Sequence, residues 1–167
     1  MTKKTFLPSI IFSILFLTGC THKIPLSQLN KEKMHELSIV NTRKGEIVSS
    51  QETKAIIVAT YLNPINVDFI NNKEDVFLVG VYISNDTGAK IKSSADPFYK
   101  FSLNGDTDIT DIQKLNLHSK YLKLVPLINK WAEYYLVKFP AKKSRILTLT
   151  FENKDYGKAV LTFEKAI

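Results

Sequence analysis

The chain holds one cysteine, one tryptophan, three histidines and six glycines among 167 residues, and each scarcity removes a class of chemistry. A single cysteine allows no internal disulfide, so stability must come from packing. A zinc site takes three or four nitrogen or sulfur ligands, yet His22, His35 and His118 are scattered and no Cys-x-x-Cys pair exists. Met34-His35-Glu36 lacks the second histidine of a His-Glu-x-x-His helix, because residue 39 is Ile. The few glycines form neither a phosphate-cradling loop nor the elbow that exposes a nucleophilic serine. The reading is of a protein that is not an enzyme and carries no cofactor. The longest apolar run, Phe6 to Leu17, is about a dozen residues, short of the ~20 that span a bilayer.

That run is informative for what surrounds it. Lys3 and Lys4 precede it, no acidic residue occurs before Glu32, and it ends in Leu17-Thr18-Gly19-Cys20. A basic start, an apolar core and a small-residue exit make an export signal. The last four residues resemble the lipobox of bacterial lipoproteins, in which the cysteine receives a diacylglyceryl group. The resemblance implies cleavage after Gly19, with Cys20 as the lipidated first residue and palmitate among its acyl chains. A catalytic thiolate would need a nearby base and an unmodified sulfur, so Cys20 is read as a tether. Thr21, where Asp would favour the inner membrane, resembles an outer-membrane address, periplasmic or surface-exposed. The implied domains are a signal peptide at 1–19, a lipidated cysteine and flexible tether at 20–43, and a folded domain at 44–167.

Without residues 1–19 the chain keeps 21 Lys and Arg against 16 Asp and Glu. The basic residues are dispersed, the tightest group being Lys142-Lys143-Ser144-Arg145 in an expected turn. Nucleic-acid binders concentrate charge on one face or arm, so none is expected as a partner; anionic head groups or cell-wall polymers suit this balance better.

From residue 44 onward the pattern is of short strands. Lys54–Leu62 is rich in β-branched residues and stops at Asn63-Pro64. Val76–Ile83 is apolar on both alternating faces, as a central strand is, and its Gly80 implies a bulge or a close bulky neighbour. Phe98–Leu103 alternates into Asn104-Gly105, a hairpin signal. Tyr121–Val125 and Trp131–Phe139 each stop at a proline, and Arg145–Phe151 and Ala159–Phe163 close the chain. About seven strands at ~8–12-residue spacing predict an all-β fold, an antiparallel immunoglobulin-like β-sandwich. Before residue 44 at most one short helical turn is expected, within Ser27–Leu37.

Ala59–Pro64, Phe77–Tyr82, Tyr134–Pro140 and the closing hairpin together resemble the small exported lipoproteins of campylobacter-type bacteria, with a variant immunoglobulin-like domain. The resemblance implies an interaction domain at the cell envelope with a protein partner and a membrane attachment through Cys20. It carries no catalytic residue.

Two sets of side chains stand out as binding candidates. Tyr121, Trp131, Tyr134 and Tyr135, with Phe98, Tyr99 and Phe101, would line a cleft for sugars or small ligands or anchor a partner if they reached a surface. Otherwise they fill the core. Trp131 is expected to be buried, and of the adjacent Tyr134 and Tyr135 one is expected to face out. Asp106, Asp108 and Asp111 are closely spaced carboxylates of the kind calcium loops use, but the sixth and twelfth loop positions are Asp111 and Leu117 rather than Gly and a carboxylate. The preferred reading there is a solvated turn. Asn85-Asp86-Thr87 matches a glycosylation triplet and is read as a turn.

Overall fold

The computed structural model describes residues 26–65, 70, 73–84, 99–126 and 128–165, with the backbone alone for 26–29. Cys20 and the run before it, Phe98 and Asn85-Asp86-Thr87 lie outside the described residues. The order is α1 (Leu26–Val40), β1 (Thr42–Ser49), β2 (Glu52–Tyr61), β3 (Glu74–Ile83), β4 (Tyr99–Leu103), β5 (Asp111–Leu115), β6 (Glu133–Pro140), β7 (Ile146–Asn153) and β8 (Gly157–Glu164). Among the described residues there are also 3₁₀ turns at Asn63–Ile65 and Lys120–Leu124.

All pairings are antiparallel. The larger sheet runs β1-β2-β3-β6-β5 and the smaller β4-β7-β8. The described residues therefore form an all-β sandwich, with eight strands among them. Within it β1, β2 and β3 form a meander, so the connectivity is its own rather than the split order of antibody domains.

The sequence of β7 shows why the sheets face each other. Leu147, Leu149 and Phe151 are buried, while Ile146, Thr148 and Thr150 alternate with them toward the outside. Leu161 and Phe163 of β8 and Phe101 and Leu103 of β4 join the buried set. Across the gap they meet Ile57, Ala59, Tyr61, Phe77, Val79, Val81, Tyr135, Val137 and Phe139 of the larger sheet. One side of the sandwich is drawn shut. A Cβ on Gly45 of β1 would stand 2.9 Å from Leu161 Cδ2 and 3.2 Å from Ala159 Cβ, so only glycine lets β1 approach β8 this closely.

The larger sheet is covered on its other face too. Leu62, Ile65, Val76, Leu78, Leu115, Leu122, Leu124, Tyr134 and Leu136 form a second core, against which Met34, Leu37, Tyr121, Val125 and Ala132 pack. The covering layer is α1 with the two 3₁₀ turns and the β5–β6 connection. This explains why β3 carries no outward polar alternation: seven consecutive residues, Asp75 to Val81, are buried.

The layer also corrects the expected tether. Residues 26–40 are a packed helix and the first strand begins at Thr42, ahead of residue 44. Ser38 hydroxyl donates to Met34 O at 2.8 Å, and Thr42 bridges α1 to β2 through Ser38 O at 2.6 Å and Thr60 Oγ1 at 2.7 Å. Tyr121–Val125, expected as a strand, lies in a 3₁₀ turn that the Ser119 side chain caps at Tyr121 N. The period-2 pattern of Leu122-Lys123-Leu124 imitates a strand, since both leucines are buried with an exposed lysine between them.

The prediction for Gly80 holds in its second form, a close bulky neighbour. A Cβ there would lie 2.8 Å from Tyr134 Cε1. Tyr134 cannot easily yield, because its hydroxyl accepts from Asn129 N at 2.7 Å. Gly80→Ala is expected to cost about 1–3 kcal/mol in urea unfolding. The same change in a Tyr134→Leu background should cost clearly less than the single change, because the clash is pairwise.

Candidate interaction surface

The described polar groups are organised for structure first. Asp75, 1% exposed in an apolar run, accepts from Tyr61 Oη at 2.8 Å, from Lys142 N at 2.7 Å, and from Lys165 Nζ at 2.8 Å. Lys165 Nζ also donates to Lys142 O at 2.6 Å. Burial, and then the hydrogen bond and charge of Asp75, push the Tyr61 phenol far above its ordinary value. Tyrosine, aspartate and lysine thus meet, but in the packed end of the sandwich, where they join β2, β3, the β6–β7 turn and the tail after β8. No sequence motif marks Asp75; the signal is an acid directly abutting the apolar run Val76-Phe77-Leu78.

The acidic loop is built into the same end. Lys142 Nζ lies 2.5 Å from Asp106 Oδ2, and Asp108 N donates to Asp106 Oδ1 at 2.9 Å. The lysine bond, then the Asp108 amide, hold the Asp106 carboxyl below its usual value. Asp111 pairs with Lys138 at 3.1 Å. Among the described residues no three His, Cys, Asp or Glu side chains gather as metal ligands. Asn104 and Gly105 do form a tight turn with positive φ values of 54° and 81°. Its outgoing arm makes one bridge, Leu103 to Asp106, then crosses to β5 in the other sheet.

The aromatic candidates separate. Tyr134 and Tyr135 are both buried, against the expectation that one faces out. Adjacent strand residues point to opposite faces, and β6 has a core on each: Tyr135 in the one between the sheets, Tyr134 in the second. Tyr135 hydroxyl donates to Glu133 Oε2 at 2.6 Å. Tyr99 and Phe101 are in the core, ring to ring with Phe151. Tyr121, within the covering layer, is half-buried against the second core.

Trp131 is the reverse case: expected in the core, it is 81% exposed. The strand starts at Glu133, so the apolar alternation of β6 never reaches it. Its position is nevertheless built. Trp131 N donates to Asn129 Oδ1 at 2.9 Å and Ala132 N to Asn129 O at 3.2 Å. Asn129 N is in turn held by buried Tyr134 Oη. Ile128 and Leu117, on the same connection, are 52% and 53% exposed. Leu115 pairs with Tyr134 across the sheet edge, which brings the start and end of this connection to one corner.

A second exposed surface is the outer face of β4-β7-β8. Paired across it are Thr148 with Thr162, Thr150 with Val160, and Ser102 with Thr150. Ile146 and Val160 are 47% and 49% exposed. Charges sit at the ends: Arg145 binds Glu164 at one, and Lys100, Glu152 and Lys158 adjoin one another at the other. Its middle is uncharged and, apart from Ser102, β-branched.

Compared with protein-family models, curated proteins and solved structures, the chain matches none.

Proposed function

We propose that the protein is a lipid-anchored component of the cell envelope, tethered through Cys20, whose β-sandwich acts as a non-catalytic interaction or assembly module for a partner protein. The signal-like start and the Leu17-Thr18-Gly19-Cys20 box support the anchor. An outer-membrane position follows from Thr21 under the sorting rule described above. Among the described residues no helix is long and apolar enough to cross a membrane.

One observation carries the module reading, the outer face of the small sheet. Interfaces between proteins are depleted of charge at the centre and polar at the rim, and this face has that layout. It is turned away from the layer through which the chain enters the domain, so a tethered molecule would present it outward. The alternative of a cell-wall carbohydrate or small-ligand binder with an aromatic cleft is less favoured, since Tyr134 and Tyr135 are in the cores and only Trp131 and Tyr121 of its candidates keep exposed surface.

The test is in-cell cross-linking of the lipidated protein followed by mass spectrometry. The expected result is one discrete envelope protein, lost both with Cys20→Ala and with Val160→Arg. Val160→Arg should unfold at the same denaturant concentration as the parent, because the site is half-exposed. Capture that persists in Val160→Arg would sink the assignment of this face.

A further inference from the structure

We propose that the Trp131 corner seats on an anionic lipid surface, so that the domain lies against the membrane through its covering layer. The inference deepens the anchored reading above and rests on it for the nearness of the bilayer, but its own evidence is the corner.

Three independent properties converge. The first is apolar exposure: Leu117, Ile128 and Trp131 are each more than half exposed on one connection. Tryptophan with aliphatic neighbours is the composition that enters the head-group boundary, where an amphipathic ring has both media. The second is charge. Between Asp111 and Glu133 the chain has no acidic residue and four lysines, Lys114, Lys120, Lys123 and Lys130. Lys114 pairs with Glu133 at 2.5 Å, and Lys120 Nζ lies 5.5 Å from the Tyr121 ring centroid. Lys123 and Lys130 are exposed. A basic rim around exposed apolar groups, in which the carboxylate of Glu133 is paired with Lys114, complements phospholipids of negative charge, each lysine near such a surface strengthening attachment about five-fold. The third is rigidity. Asn129 and the buried Tyr134 hydroxyl fix the backbone that carries Trp131, so little ordering is left to oppose contact.

Geometry supports lipid over a distant partner. Helix α1 touches the Lys120–Leu124 turn, so the chain enters the domain within the layer that ends in this corner. Five residues, Thr21 to Pro25, lie between Cys20 and Leu26, and a fully extended chain from one to the other reaches at most roughly 20 Å. A lipid on Cys20 therefore keeps the layer within a short distance of the head groups.

Trp131 is the only tryptophan, so its emission reports the corner without labels. The experiment uses the native full-length protein extracted from membranes and reconstituted in two kinds of vesicle, phosphatidylcholine alone or mixed with phosphatidylglycerol. The expected result is blue-shifted emission with phosphatidylglycerol, quenching by bromine on the acyl chains, and protection from aqueous iodide. Added salt should reverse the shift. Lys123→Gln with Lys130→Gln should weaken the docked state more than twenty-fold. Emission that stays water-like in both vesicles, or a shift indifferent to phosphatidylglycerol and salt, overturns the proposal. So does a shift that appears without vesicles as protein concentration rises, which would make the occupant a second copy. The mass of the purified chain, with or without diacylglyceryl, decides the Cys20 anchor separately.

Discussion

Asp75→Ala is expected to lower the free energy of unfolding by about 3–5 kcal/mol, as removal of one partner from a buried ion pair does. The carboxylate is 1% exposed and gathers three donors from three other segments of chain. Alanine would leave Tyr61 Oη, Lys142 N and the Lys165 ammonium without the acceptor each now has. Because Lys165 keeps a side-chain exposure of 20%, water can re-solvate its charge, which places the loss toward the lower end. Asp75→Asn keeps one oxygen and the shape, and should cost less. Combining Asp75→Ala with Lys165→Met should recover part of the loss, since no unpaired charge then remains. Equilibrium urea unfolding measures all four proteins. A change within about 0.5 kcal/mol for Asp75→Ala, the range of ordinary surface substitutions, would show that the node does not hold the end of the sandwich together.

Phe77→Ala should be of similar size, about 3–5 kcal/mol, for the different reason that it opens a cavity. Phe77 is fully buried and sits at the centre of an aromatic group. Its ring centroid lies 5.1 Å from Tyr61, 5.3 Å from Phe163 and 6.1 Å from Phe139. These rings come from β2, β8 and β6, so one side chain joins both sheets. The neighbours are held by strand pairing on each side, which limits collapse into the void. Phe77→Leu keeps most of the volume and should lose clearly less. Equal losses for alanine and leucine would mean that ring geometry rather than volume decides, against this account.

Where two rules agree in the sequence, the fold was legible. Val76–Ile83 reads as a central strand because it is apolar at both periodicities, and Leu147–Phe151 as a half-buried one because threonines alternate with large apolar residues. β1 was not legible: Thr42–Ser49 buries only Ile47, includes Gly45, and exposes Val48. Its place depends on β2, its hairpin partner, and on β8 across from it, a contact far away in sequence. Helix α1 was missed because Met34 and Leu37 are a thin apolar stripe for fifteen residues. The surface suffered from the same cause. Tyr134 and Tyr135 both being buried follows from a third layer that periodicity cannot announce. Trp131 being exposed follows from where a strand begins, decided by an asparagine turn two residues earlier. The resemblance of Leu17-Thr18-Gly19-Cys20 to a lipobox, by contrast, is a local pattern that calls on no tertiary context.

The central strand has a liability that its folded surroundings conceal. Val76–Ile83 is eight residues without charge or proline, the kind of segment that stacks with copies of itself into cross-β assemblies. In the native protein β2 and β6 occupy both of its edges and a core covers each face. Any unfolded chain offers all four at once. Glu74 and Asp75 stand immediately before it, in the position from which charged residues suppress such stacking. Asp75 therefore acts in two states, as a buried anchor in the folded molecule and as a guard against self-association in the unfolded one. Its replacement would be expected to cost solubility during refolding in addition to stability.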